Sequence, residues 1–504
     1  MKRATGEQKI NSTTLRDSHT VVIGGGIGGL SMGIILATLG YPVTLIEKNK
    51  KTGGMMRSYT RNGIDCDIGI HYLGALDKGQ VLRRCFDFMG VTTDIPLKRM
   101  GSTGIIDRYL IHHPANGPEV FDLPEGFGAY AENLKTAFPS ETRAIDAFMT
   151  LLHKSARQLN NLTFLFDDLS TDILIDQAEP LSDIFDRLGC SRGLRSVIGV
   201  PAYWIGIPAD RCPLFFHNMT LASYLFSAWR LVESGTHMAD AFSNRFQALG
   251  GELITGREIR RIRIKDGQVS GVCLDDKTIV PANRVVSTVH PKVLIQMFDN
   301  HMLKPSYRKR IRGLKDTPGF FCVHARVDAG YNKELPYNLF HLDMETTGAG
   351  KHSMFIQLRR TGQSQWNRLT LLGDGRSQVW SPWEETLTGR RGEPYLQAKQ
   401  QEADKMIARA AKTIGPFKSL KRLDTYTPLT IRDWVNSPNG SAYGVMKSSD
   451  QLLSTALLNR TAIKGLYLAG QSVMAPGVLG TVLGSFVTTK FIIGPKRFRQ
   501  VVDL

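Results

Sequence analysis

Unbroken apolar runs and stretches of helical spacing follow one another from position 19 onward, and the changes of period fall at glycines. Thr20-Val-Val-Ile23 is a short apolar run, the pattern of a strand buried on both faces. After Gly24-Gly-Gly-Ile-Gly-Gly29, Leu30, Ile34, Ile35 and Leu36 give positions 30–39 a helical apolar face, which Gly40 and Pro42 bring to an end. Val43-Thr-Leu-Ile46 is a second buried strand closed by Glu47, so 19–47 is predicted to be one right-handed βαβ unit. Asn62-Gly63 lies between two strand-like runs within 58–67 and predicts a tight hairpin.

A second ordered block starts near Gly235. Positions 238–249 have helical spacing that ends at Gly250-Gly251. Strand-like runs at 252–254, 259–264, 269–274 and 284–288 follow, with an Asp266-Gly267 turn, and predict a β-meander returning to the main sheet. A third block, Lys464-Gly-Leu-Tyr-Leu-Ala469-Gly470 and a glycine-punctuated helix to Ile493, closes the chain. The expected class is α/β: a Rossmann-type domain assembled from three segments, 19–100, 231–299 and 441–504. An α+β substrate domain, 101–230 and 300–440, is inserted into it, and 1–18 is expected to be a flexible tail.

The bulk properties narrow the class. A chain of 504 residues with 42% hydrophobic and 22% charged residues suits two or three core-forming domains and excludes disorder or a coiled coil. No apolar run reaches the roughly 20 residues of a spanning helix, and the basic start has no apolar stretch of a secretory signal. The six cysteines form no close pairs, so no metal site and a reducing cytoplasmic setting are expected. The excess of 63 Lys+Arg over 46 Asp+Glu, +17 net, implies attraction to a polyanion. With no zinc-finger spacing and no RNA-recognition motif, nucleic acid is not expected, and an anionic membrane surface is the better partner. Nothing in the pattern sets an oligomeric state.

The glycine loop carries the chemistry. Gly24-x-Gly26-x-x-Gly29 stands between strand and helix, with Glu47 18 residues after Gly29 at the end of the next strand. In that frame Gly24 permits a tight turn, and Gly26, with Ile27 and Gly28, lets backbone approach a pyrophosphate. Gly29 allows close packing, the helix N-terminus faces the phosphates, and Glu47, beside Lys48, would bind an adenosine ribose. A dinucleotide site is the expectation.

Gly53-Gly54-Met55-Met-Arg57-Ser58, shortly after Glu47, resembles the extended signature of FAD-binding amine-oxidase and phytoene-desaturase-like flavoproteins. There a Gly-Gly loop runs under the flavin diphosphate. Leu466-Tyr-Leu-Ala-Gly470 resembles the strand that approaches the ribityl chain in that family, although Gln471 stands where an acidic residue is often found. Ile259 matches the strand position whose backbone meets the adenine, and Gly477 and Val478 join Gly470 and Gln471 as cofactor-binding candidates. Asp67-Ile-Gly69-Ile-His71-Tyr72-Leu-Gly74, Thr427-Pro-Leu-Thr430 and Gly440-Ser-Ala-Tyr443-Gly444 are similar to the retinol saturase and carotenoid isomerase branch. The resemblance implies bound FAD, an elongated apolar site for a polyene or isoprenoid, and attachment to one membrane leaflet. It places His71 next to the flavin.

The implied activity is oxidoreduction of carbon–carbon double bonds by hydride exchange with the flavin, as saturase, desaturase or redox-dependent isomerase, with NAD(P)H as an external donor. His71, Tyr72 and Tyr443 are the catalytic candidates. An FAD-dependent amine oxidase, and a membrane-docked flavin protein without chemistry, are the competing readings. Phe215, Phe216, Tyr224, Phe226 and Trp229 line a lipid tunnel or belong to the core. The absence of a Gly-x-Ser-x-Gly elbow speaks against a hydrolase.

Overall fold

The computed structural model describes residues 19–113, 119–166, 178–299, 301–345, 348–349, 353–375, 377–455 and 458–504. The 1–18 stretch expected to be a tail lies outside the described residues. One centre of the fold is a five-stranded, wholly parallel sheet in the order Glu252–Thr255, Val43–Glu47, Thr20–Ile23, Arg284–Ser287, Leu466–Leu468. Two of the three inner strands, Thr20–Ile23 and Val43–Glu47, are buried at every position, as continuous apolar runs in a parallel sheet require. Glu252–Thr255 was expected in the meander. It instead pairs in parallel with Val43–Glu47 at the sheet edge, and the meander consists of Ile259–Lys265, Gln268–Leu274 and Ile279–Pro281 alone.

The helix Ile27–Thr38 is apolar on more than one side, because it is packed between the helices Gly235–Ala248 and Gly477–Ile493. That is why Gly28 to Leu36 are all buried and why the expected single apolar face understates its burial. The hairpin Ser58–Arg61/Ile64–Asp67 turns at Asn62 and Gly63, both at positive φ (51° and 73°), the twist-compatible turn that Asn-Gly favours.

A second large sheet runs Lys421–Tyr426, Phe320–Asp328, Trp366–Asp374, Met354–Arg360, Asn338–Glu345, Asp107–His112, Glu119–Leu123. The Asn338–Glu345/Asp107–His112 pair is parallel, so chain from before and after the meander meets in one sheet. Alternation along Met354–Arg360 splits its faces: Met354, Ile356 and Leu358 join a core with Tyr395, Ala403 and Met406 of the helix Gly392–Ile414, while Phe355, Gln357 and Arg359 point to the other side. On that other side Asp67 of the hairpin is clamped by Arg368 at 2.6 Å and by the Gly235 N–H at 3.0 Å. The Arg368 guanidinium, opposing the effect of burial, holds the Asp67 carboxyl below its ordinary range.

Candidate functional site

A cleft opens at the carboxyl ends of the parallel strands, where open α/β sheets place their ligands. Gly24 leaves the first strand at φ +98° and donates its N–H to the Ile46 carbonyl at 2.9 Å. A Cβ on Gly29 would lie 1.8 Å from the Gly24 carbonyl oxygen, and one on Gly28 would lie 2.9 Å from the Gly470 Cα. These two glycines serve packing within the protein. Gly26 differs: its φ of −75° suits any residue, and a Cβ there meets nothing closer than the Gly54 Cα at 4.0 Å. The space in front of Gly26 is therefore open cleft.

Gly53 docks on this loop through its N–H, which donates to the Gly25 carbonyl at 2.7 Å. A Cβ on Gly53, at φ +115°, would strike Arg57 and Ala239, so the doublet is fixed by crowding from behind. Arg57 folds back to donate to the Gly54 carbonyl at 3.3 Å, and the Ser58 hydroxyl bonds Thr236 at 2.8 Å. Both brace the Gly-Gly loop and neither lines the cleft. Glu47 also has a task not foreseen. Its carboxylate accepts the Gly25 N–H at 2.7 Å and the Asn49 N–H and amide at 2.9 and 2.7 Å. It shapes the glycine loop while still facing the cleft.

The cleft encloses about 1410 Å³ of atom-free space, its open mouth included. Gly24, Gly26, Ile27, Gly28, Glu47, Lys48, Gly53, Gly54, Met55, Ile259, Tyr443, Gly470, Gln471, Gly477 and Val478 all line it. Gly29, Arg57, Ser58, His71 and Tyr72 do not. The loop after Arg284–Ser287, with Thr288, Val289 and His290, was missed, although its place at the end of a parallel strand is where a wall was due. Trp434 and Asn436, at the end of the helix Pro428–Val435, were missed too and had no sequence signal. Lys48 reaches this strap through the Asp433 carbonyl at 3.2 Å, and burial lowers its pKa. The Gln471 amide donates to the Ala442 carbonyl at 3.4 Å.

His71, Tyr72 and Tyr443 are half-buried, and of the three Tyr443 lines the cleft. Tyr72 packs on Tyr224 with ring centroids 4.5 Å apart, Tyr224 on Trp204 at 5.2 Å, and Phe340 on Phe355 at 5.2 Å. Trp204 joins the two sets through Phe340 at 6.0 Å, and a Cβ on Gly206 would touch Tyr443 at 3.2 Å. Tyr224 thus packs between Tyr72 and Trp204, while Phe226 packs on Phe127 and Phe215 on Phe216. His71 is not among the residues that line the cleft, although its neighbours Gly69 and Ile70 are. Its ring lies 5.2 Å from that of Phe355, outside the cleft, and burial pushes its pKa down to about 4, so it is neutral at pH 7. The Tyr72 hydroxyl donates to Asp107 at 3.1 Å, and Asn338 donates to the other Asp107 oxygen at 2.8 Å. Burial raises Asp107 to about 7 and Tyr72 well above its ordinary value.

The residues present fit a dinucleotide with a diphosphate at its middle. The void before Gly26 admits phosphate oxygens, the first-turn N–H groups of Ile27–Thr38 have no intrahelical partners, and Lys48 and Arg257 bring positive charge to the same end. Comparison with known proteins agrees. Residues 27–485 match the family of flavin containing amine oxidoreductases. The chain is 22% identical to the all-trans-retinol 13,14-reductase of Macaca fascicularis, over 96% of this chain and 87% of the relative. It is 24% identical to the 4,4'-diapolycopene oxygenase of a Methylomonas species, over 65% of this chain and 66% of that protein. A solved triple mutant of putrescine oxidase shares the fold with a TM-score of 0.66 at 13% identity, covering 94% of this chain and 98% of that one. The chain belongs to the flavin containing amine oxidoreductase family and is an FAD-dependent oxidoreductase.

Proposed function

We propose that the protein holds FAD along this cleft and exchanges a hydride between the flavin and a carbon–carbon double bond of a polyene or other isoprenoid lipid. An aromatic cluster that reaches the Tyr443 end of the cleft supports this reading. It comprises Tyr72, Trp204, Tyr224, Phe340 and Phe355, and the carboxyl beside it, Asp107, is already bonded to Tyr72 and Asn338. Such a surface suits a conjugated hydrocarbon, and Asp107 is not left free to pair a substrate ammonium. The retinol 13,14-reductase and the diapolycopene oxygenase, by their names, act on polyenes.

Bound flavin supplies a two-electron hydride acceptor or donor. The chain's own part is binding, orientation and exclusion of water. Glu47 shapes the glycine loop and would meet the ribose, Ile259 would meet the adenine, and Gly26 with the Gly53-Gly54 doublet would admit the diphosphate. Gly470, Gln471, Gly477 and Val478 line the opposite wall, toward Tyr443. Tyr72 keeps its proton and orients it on Asp107, and neutral His71 serves as packing against Phe355. Residues 101–230 and 300–440 supply most of the aromatic cluster, joined by Tyr72, and 19–100, 231–299 and 441–504 supply most of the cleft, joined by Trp434 and Asn436. In the reducing direction NAD(P)H is the external donor.

The protein works on the cytoplasmic face of a membrane. A polyene has no useful aqueous concentration, and the +17 net charge favours anionic headgroups. No helix among the described residues is long and apolar enough to cross a bilayer. Lys304, Arg308, Lys309, Arg310, Arg312 and Lys315 are a dense basic run, but Leu303 beside it is buried in a core, and Arg308 is turned inward onto the Ile295 and Phe298 carbonyls at 2.9 and 3.0 Å. Charge, more than inserted side chains, supports docking. Incubation of FAD-loaded protein with all-trans-retinol, with product analysis by mass, tests the reaction: a gain or loss of two hydrogens, or a shifted double bond, is expected. Unchanged retinol together with turnover of putrescine to its aldehyde overturns it in favour of an amine oxidase.

A further inference from the structure

Behind the Tyr443 end of the cleft lies a lysine with no counterion. Lys447 is 1% exposed, and its Nζ donates to the carbonyls of Ser472 and Val473 at 3.0 and 2.8 Å. Ser472 is itself a cleft wall, next to Gln471 and opposite Tyr443, so the ammonium stands one peptide layer behind the site. The segment 443–447 is pressed onto the turn 470–473: the Val445 N–H donates to the Ser472 hydroxyl at 3.3 Å, and a Cβ on Gly444 would lie 2.1 Å from that oxygen.

Among the described residues, the ionisable groups of the surrounding segments are engaged elsewhere. Asp316 holds Lys292 at 2.7 Å and His290 at 3.1 Å, and Asp450 holds Arg211 at 2.8 Å and Lys315 at 3.0 Å. Tyr443, on the same segment, is kept neutral by burial. Gln471 brings no charge where a carboxylate would compensate the lysine.

We propose that Lys447 is the charge partner of the flavin, binding a proton when the flavin is reduced and releasing it when the flavin is reoxidised. The inference rests on the reading that FAD occupies the cleft. Burial alone lowers the Lys447 ammonium to about 7, so near neutral pH the neutral and charged forms are balanced. A negative charge arriving one layer away, in a medium of low dielectric, shifts that balance to the ammonium. The step is balanced. Two electrons from an external donor and one proton convert the flavin to its reduced anion, and a second proton converts the Nζ amine to ammonium. Reoxidation returns both.

The test is the midpoint potential of the FAD-loaded protein, titrated with dithionite and reference dyes across a pH series, for wild type, Lys447→Met and Lys447→Arg. Above about pH 7 the wild type should fall more steeply than Lys447→Met by one proton per two electrons, 29.6 mV per pH unit. Below about pH 7 the two lines should run parallel, because the lysine is then charged in both redox states. Lys447→Arg, always charged, should lie at higher potential than Lys447→Met and show no break. A wild-type line parallel to that of Lys447→Met throughout overturns the proposal. If Lys447→Met does not load FAD, a wild type without a break relative to Lys447→Arg overturns it equally. A wild type that takes up no FAD overturns the cleft reading instead.

Discussion

The carbonyl oxygen of Gly24 occupies the place where a Cβ of Gly29 would stand, 1.8 Å from it, whereas a Cβ on Gly26 would find nothing closer than 4.0 Å. Two glycines of one motif thus answer to different demands, the first to the fold and the second to the ligand. Gly29→Ala should open the turn and destabilise the protein by several kcal/mol, on the order of other overpacked or strained core sites. Gly26→Val should fold with a melting temperature close to that of apo wild type and yet retain no yellow chromophore. Thermal unfolding with and without FAD checks both, and a Gly26→Val protein that binds FAD normally would contradict the assignment.

Glu47 holds the loop and not only the ribose. Three N–H donors converge on its carboxylate, and hydrogen bonds to a charged group are worth about 1.5–3 kcal/mol each. Glu47→Ala should therefore weaken FAD more than ~100-fold, beyond the loss of ribose contacts alone, and Glu47→Gln should weaken it less. Flavin fluorescence titration measures both. Equal, mild losses would mean that the loop does not depend on the carboxylate.

Asp107 should make stability fall as pH rises. Burial raises its carboxyl from 3.8 to about 7, so the folded state holds a proton that the unfolded state gives up earlier. The stabilising contribution is complete below the unfolded value of about 4 and is lost as pH climbs through about 7, a difference on the order of 4 kcal/mol. Asp107→Asn can bond both Tyr72 and Asn338 and does not titrate. Urea unfolding across that window should show wild type losing stability relative to Asp107→Asn. A constant difference would place the Asp107 carboxyl in its ordinary range.

Membrane docking through charge should be salt-sensitive. Each basic residue near an anionic surface is worth about 1 kcal/mol, and the attraction is screened beyond about 8 Å at physiological ionic strength. The FAD-loaded protein should float with anionic liposomes at low salt, release as salt is raised, and ignore neutral liposomes. Failure to float with either at low salt would remove the membrane reading.

The cofactor half of the site was legible because its requirements are local. A pyrophosphate against a helix start demands glycines at fixed spacing, and the strand–glycine loop–strand pattern of 19–47 states them. Wall residues set by tertiary packing left no such trace. Trp434 and Asn436 reach the cleft only because the helix Pro428–Val435 ends there, held at its start by the Thr427/Thr430 capping box. Lys447 looks like any surface lysine until the turn 470–473 closes over it. His71, placed by the family resemblance, follows Gly69 and Ile70 of the cleft wall, and its ring packs on Phe355; no pattern along the chain gives that direction. Glu252–Thr255 was misassigned because strand-like composition cannot tell which sheet a strand will join.

On the proposed function, the flavin of this protein trades electrons with a polyene. Anaerobic absorbance titration of FAD-loaded protein, once oxidised and once reduced with dithionite, against all-trans-retinol and in parallel against putrescine, tests it most directly. The account predicts that retinol changes the flavin spectrum in one of the two redox directions, in proportion to retinol converted, and that putrescine leaves both forms unchanged. Bleaching of the oxidised flavin by putrescine, with hydrogen peroxide on admission of air and no response to retinol in either state, would contradict it.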